Sequence, residues 1–183
     1  MLQDMPTSPT PPGHHALRKG RHGRSGGLYL LTTTTHERRP LFAHWLCARV
    51  AAASLAKPES WPGAALLCWV LMPDHRHGLV RLQDNGNLGA AMRHAKGHSA
   101  RAVNLALERS GPVWSRAFHD HALRADEDVL RCARYVIANP LRAGLVERIG
   151  DYPYWDAAWL EHAAILQERL QPRWGFAGRA LRG

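Results

Sequence analysis

The sequence predicts an α+β domain in which an antiparallel sheet of four to five strands carries helices packed on one face. Three observations lead there. Segments rich in strand formers alternate with segments of helical period, in the order strand, helix, strand, strand, helix, strand, helix. Two of the strands are separated only by a Pro-Asp step, which makes them a hairpin and so antiparallel neighbours. The chain has 183 residues, 45% of them hydrophobic, enough for one core and too few for two comfortable ones.

Residues 1–27 hold Pro6, Pro9, Pro11 and Pro12, followed by the basic, glycine-rich run 18–24. Such a composition cannot fill a core, and a flexible basic arm is expected there. The folded domain is expected over 28–170, with a basic tail at 171–183 that carries Arg173, Arg179 and Arg182 and no acid. The first strand is Leu-Tyr-Leu-Leu-Thr-Thr-Thr-Thr at 28–35. Phe42, Leu46 and Val50 recur near the helical period over 41–57, and Pro58 ends that helix. After a turn at 61–63, the apolar run 64–72 and the segment 75–82 form the hairpin, placing 75–82 on an inner strand. Asn87 caps a second helix with the stripe Leu88, Met92, Ala95, Ser99, Val103 and Ala106, and Gly111-Pro112 terminates it. Residues 113–124, with Trp114 and Phe118, read as a fourth strand. Asp126 then caps a third helix with Val129, Ala133, Val136 and Ile137 inward, its early acids Glu127 and Asp128 suiting the helix dipole. Pro140 ends or kinks that helix, 140–146 forms a short turn, and a last helix over 157–170 closes the domain.

The formal net charge of +9 and a pI near 10.3 point to a polyanionic partner, with nucleic acid the first choice. Cys47, Cys68 and Cys132 are odd in number and widely spaced, so neither a disulfide framework nor a zinc ribbon is indicated. No apolar run approaches the ~20 residues of a membrane helix, and the start lacks a signal-peptide core. A cytoplasmic protein without a membrane partner is expected.

The chemistry centres on Met72-Pro73-Asp74-His75-Arg76-His77. On a strand His75 and His77 project to one face and Arg76 to the other, so two neutral imidazoles can share one metal ion. A His-x-His also arises by chance in a chain with twelve histidines. The third helix adds Tyr135 and Asn139, four residues apart and on one face if the helix stays regular. A tyrosine ester of phosphate preserves the energy of a broken phosphodiester for rejoining, so no ATP is required. Phenols ionise near pH 10, so a neighbouring cation must favour the phenolate. The bland alternative makes Tyr135 a half-buried helix residue and Asn139 a cap before proline. A second His-x-His, His119 and His121, competes for the metal but has no matching tyrosine motif and is read as structural or DNA-facing.

Four blocks in order, Met72 to His77, Gly111-Pro112-Val113-Trp114, Phe118 to Arg124, and Tyr135-Val136-Ile137-Ala138-Asn139-Pro140 continuing to Val146, resemble the REP-associated tyrosine transposases. These are domesticated relatives of the single-tyrosine HUH transposases, and the resemblance covers roughly residues 26–159. It implies a ferredoxin-like domain, His75, His77 and Asn139 as ligands of a divalent ion (Mg²⁺ or Mn²⁺), and Tyr135 as the nucleophile that forms a 5'-phosphotyrosine link and frees a 3'-hydroxyl. The implied partner is single-stranded DNA folded into hairpins by repetitive palindromes, and the implied location is the nucleoid. Related transposases work as dimers with shared sites, whereas this branch is expected to act as a monomer. The residue between the histidines is usually bulky and hydrophobic; here Arg76 stands there, and altered packing or a DNA contact is expected of it. The further DNA-contact candidates are Arg93, Lys96 and Arg101 on the second helix, Arg134 and Arg142 around the tyrosine motif, the N-terminal arm, and Trp114 or Trp174 as stacking platforms. Two rival functions stand beside this one: a noncatalytic binder of structured DNA, and a metal hydrolase that uses activated water and leaves Tyr135 idle.

Overall fold

The structure, a computed structural model, describes residues 24–124 and 129–157. Its single sheet contains β1 (Leu28–Thr34), β2 (Ala64–Leu71), β3 (His75–Leu82), β4 (His119–Ala122) and β5 (Trp155–Ala157), ordered β4-β1-β3-β2-β5 and antiparallel throughout. The hairpin read from the Pro-Asp step is β2–β3, and β3 is the central strand. Around the sheet lie α1 (Trp45–Leu55), α2 (Leu88–Ala106), α3 (Val129–Ile137) and the single turn α4 (Asn139–Arg142).

Strand alternation divides the core in two. Leu31 of β1, Leu71 of β2 and Val80 and Leu82 of β3 face α1 and α2, where Ala48, Ala51, Leu88, Ala91 and Met92 meet them. The opposite face presents Cys68, Val70 and Leu79 to Ala133, Val136 and Ile137 of α3. The expected layout with helices on one face therefore holds for α1 and α2, while α3 packs on the other. The apolar residues of α3 fall on one side, so it buries a stripe against the sheet and leaves Tyr135 outward.

Asn87 caps α2 as expected, its Oδ1 accepting from Ala90 N at 2.8 Å. The helix expected over 41–57 divides at His44, whose extended ψ of 119° separates a 3₁₀ turn at Leu41–Ala43 from α1. The strand expected over 113–124 is a correction, since it shrinks to the four residues of β4. Trp114, 6% exposed, packs 4.9 Å from Phe42 and donates from Nε1 to Ser99 Oγ at 3.0 Å. Its backbone still bridges Thr35 at the end of β1, with His36 N donating to Val113 O and Ser115 N to Thr34 O, and the pairing lapses over 116–118, where Lys96 Nζ donates to the carbonyls of Arg116 and Ala117. Beyond Ala157, the last helix and the basic tail lie outside the described residues, as do Asp126 and residues 1–23 of the arm. The rest of the arm is tied to the sheet, with Gly26 N donating to Leu82 O and Leu82 N to Gly27 O.

Arg76 is 1% exposed, its guanidinium 4.6 Å from the centre of the Trp61 ring. Two of its nitrogens, Nε and Nη2, have no hydrogen-bond partner, and burial holds its pKa below the usual arginine value. Gly78, two residues on along the same face, makes room for it: a Cβ there would lie 2.8 Å from Nη2. A buried charge without an acid partner is destabilising relative to an apolar chain of similar volume. Arg76→Met is therefore expected to raise stability by on the order of 1–3 kcal/mol in denaturant unfolding. Gly78→Ala is expected to lower it by a similar amount through overpacking. The double variant should lose much less than Gly78→Ala alone, because methionine can yield to the new methyl group.

Candidate active site

His75 and His77 stand on the α3 face of β3, their ring centroids 4.8 Å apart and their planes at 80°. Each has a partner for Nδ1. His75 Nδ1 donates to Asp74 Oδ1 at 2.5 Å, and His77 Nδ1 lies 2.7 Å from Thr32 Oγ1 on the neighbouring strand β1. In the tautomer that carries its proton on Nδ1, each ring keeps the Nε2 lone pair for a ligand. Burial lowers the Asp74 carboxyl's acidity, but the His75 hydrogen bond and Arg38, whose Nη1 donates to Oδ2 at 2.9 Å, outweigh it and hold the pKa below the usual carboxylate value. Burial pushes the His77 pKa down to about 4, with His75, Arg142 and Arg76 adding in the same direction, so this ring is neutral at physiological pH.

α3 lies across the same face. Tyr135 is 50% exposed, with its ring centroid 6.5 Å from that of His77. Arg142, about two turns further on at the end of α4, places Cζ 4.0 Å from the centre of the tyrosine ring. The regular helix stops at Ile137 because Pro140 has no N–H for the Val136 carbonyl. Asn139 Nδ2 supplies the missing donor, reaching Val136 O at 2.9 Å and Tyr135 O at 3.1 Å. The cap expected of Asn139 before proline is therefore present, and its Oδ1 is the amide atom left for a cation to take.

Among the described residues no third His, Cys, Asp or Glu joins the histidine pair as a cluster able to hold a metal ion. Two imidazole nitrogens and one amide oxygen, with open positions for substrate oxygens, fit a divalent ion that accepts mixed nitrogen and oxygen ligands. The dedicated partners of both Nδ1 atoms are the second feature that fits one.

The other sequence candidates divide. Arg134 and Arg142 are exposed around Tyr135, whereas Arg93 and Arg101 are exposed on α2, across the sheet from it. Three candidates are corrected. Arg76 is sealed under Trp61 and cannot touch DNA, so its packing role prevails. Trp114 is a core residue and has no free face for a base. Lys96 is engaged by three backbone carbonyls, and burial pushes its pKa down to about 8. His119 pairs across β4 and β1 with Thr32, which pairs in turn with His77, so all three share one face. Two strand spacings amount to about 10 Å, too far for His119 to share an ion with His77. The sequence reading missed Thr32 and Asp74. Asp74 was legible as the neighbour of His75, but Thr32 becomes a partner only through the β1–β3 register.

The family model for IS200-like transposases matches residues 25–137, a span that includes both histidines and Tyr135 and ends before Asn139. The chain belongs to the IS200-like transposase family. IS200-like transposases are enzymes that cut and transfer DNA strands, and the expectation of an enzyme stands. Within the family this chain is similar to a Haemophilus influenzae protein named as a REP-associated tyrosine transposase, at 27% identity over 139 residues covering 70% of this chain and 78% of the relative. The REP-associated tyrosine transposase of Escherichia coli is 23% identical over 137 residues, covering 73% and 78%. A solved REP-associated tyrosine transposase bound to a REP hairpin shares the fold, with a TM-score of 0.61 at 21% identity over 86% of this chain and 90% of that one.

Proposed function

We propose that this IS200-like transposase cleaves and rejoins single-stranded hairpin DNA with Tyr135 as its nucleophile. The observation that carries the reading is the half-exposed phenol of Tyr135 beside the His75 and His77 pair, all from one chain. Tyr135 Oη attacks the scissile phosphorus, the bond from phosphorus to the 3'-oxygen breaks, and the 3'-hydroxyl leaves with a proton. The product is a 5'-phosphotyrosine link, and attack by an incoming 3'-hydroxyl reverses the chemistry. Arg142, whose guanidinium stacks on the tyrosine ring, would neutralise negative charge near the phosphate. His75, His77 and Asn139 would hold a divalent ion such as Mg²⁺ or Mn²⁺, which when bound polarises the phosphodiester oxygens.

A complete set of groups within one chain supports action as a monomer. Exposed Arg134, Arg93 and Arg101 are proposed as phosphate contacts, and the solved relative's REP hairpin supports a hairpin built from palindromic repeats as substrate. No helix among the described residues is long and apolar enough to cross a membrane; work on DNA at the nucleoid is proposed from the family match.

The test is incubation of the protein with labelled single-stranded hairpins and Mg²⁺ or Mn²⁺, followed by a denaturing gel. A slow-migrating covalent species together with a released 3'-hydroxyl fragment is the expected result. Cleavage without such a species would replace the tyrosine mechanism with hydrolysis by water. A smaller effect is expected at the partners of the imidazoles: Asp74→Asn or Thr32→Val should weaken divalent-ion binding about 10- to 100-fold by calorimetry while leaving hairpin binding in place.

A further inference from the structure

α2 carries a pair of histidines that the strand-transfer chemistry does not use. His94 and His98 stand four residues apart on one face of this helix, exposed, and across the sheet from Tyr135. Their rings stack with centroids 6.0 Å apart and planes at 21°. Both rings are anchored through Nδ1, by the 3₁₀ turn Pro58–Ser60 and the end of α1. His94 Nδ1 lies 3.2 Å from Ser60 O, and a carbonyl can only accept, so this nitrogen carries the proton. His98 Nδ1 lies 2.9 Å from Ser60 Oγ and 3.1 Å from Ser54 Oγ. The Ser60 hydroxyl donates its own proton to Ser54 O at 2.6 Å, and so accepts from His98 Nδ1. Ser60 is wholly buried, which fixes both anchors in the core.

In both neutral rings the proton therefore sits on Nδ1, and Nε2, across the ring from the anchor, keeps its lone pair. An imidazole held through Nδ1–H and open at Nε2 is the arrangement in which proteins present histidine to a metal. Two such rings at i and i+4 of a helix are also the chelate of the helical zinc motif. With metal–nitrogen bonds of about 2.0–2.1 Å, two rings on one ion have centroids about 5 Å apart, so closure asks about 1 Å of movement from exposed side chains. Among the described residues no third His, Cys, Asp or Glu joins the pair, which leaves the other positions to water. Two imidazoles without a carboxylate suit a borderline transition ion, whereas Mg²⁺ and Mn²⁺ prefer oxygen ligands. We propose that His94 and His98 form a zinc site, separate from His75 and His77, that stabilises the fold by securing α2 to the turn at Ser60. The site is independent of the strand-transfer chemistry.

The test is calorimetric titration of the full chain with Zn²⁺, beside His94→Asn and His98→Asn. Asparagine keeps an N–H near the position of Nδ1 and removes Nε2, so the serine contacts survive while the ligand goes. Each variant is expected to bind the α2 ion at least about 10-fold more weakly, since loss of even a ligand's outer partner costs that much. In His75→Ala the same Zn²⁺ should still bind, and Mg²⁺ or Mn²⁺ should give no signal from the α2 pair. Zn²⁺ should also raise the thermal midpoint of His75→Ala, and adding His98→Asn to that variant should remove the rise. In the wild type, Zn²⁺ should shift the ring-proton resonances of His94 and His98 together, a readout that needs no variant to fold. Rings left unmoved at saturating Zn²⁺ would overturn the site. So would equal Zn²⁺ stoichiometry and affinity in the wild type and both asparagine variants, or a Zn²⁺ isotherm lost altogether in His75→Ala.

Discussion

Tyr135→Phe is expected to eliminate the covalent protein–DNA species and to reduce strand cleavage by roughly 10³-fold or more, with hairpin affinity unchanged within about twofold. The change removes one oxygen from a half-exposed side chain, and the apolar stripe of α3, Ala133, Val136 and Ile137, is untouched. The ring remains for Arg142 to stack on, so helix geometry and the local charge survive. A denaturing gel for the adduct and a native gel for binding separate the two effects. Retained cleavage in this variant would mean that water, not the phenol, attacks.

His75→Ala or His77→Ala is the second large effect. Each is expected to abolish measurable divalent-ion binding in calorimetry and to reduce adduct formation by at least about 100-fold, again with the hairpin still bound. The two variants should differ in stability. His77 is hydrogen-bonded to Thr32 in the neighbouring strand, whereas His75 bonds within its own turn to Asp74. His77→Ala should therefore lower the unfolding midpoint more than His75→Ala. An intact metal isotherm in either variant would remove the imidazoles from the ligand set.

Much of this arrangement was legible because it is local. The hairpin of β2 and β3 follows from a Pro-Asp step between two strand-forming runs, and the alternation of β3 alone puts His75 and His77 on one face. The Asn87 cap follows from side-chain chemistry within a few residues, whereas α2 stops at Ala106, short of the Gly111-Pro112 stop expected for it. What eluded the sequence depends on contacts between distant segments. Trp114 bridges Thr35 at the end of β1 as a strand residue would, yet pairing lapses over 116–118, where Lys96 of the distant α2 takes the carbonyls, and β4 begins only at His119. Arg76 was correctly placed opposite the histidines, but only the fold brings Trp61 over it and Gly78 under it. α3 could not be assigned a sheet face from periodicity, because an amphipathic helix fits either side until the topology is known.

The measurement that bears most directly on the account is peptide mapping by mass spectrometry of the covalent species trapped on a hairpin substrate and digested with protease and nuclease. The account predicts one modified peptide, from α3, carrying a 5'-phosphorylated nucleotide on Tyr135. A nucleotide attached to any other residue, or substrate cleaved with no modified peptide, would contradict it.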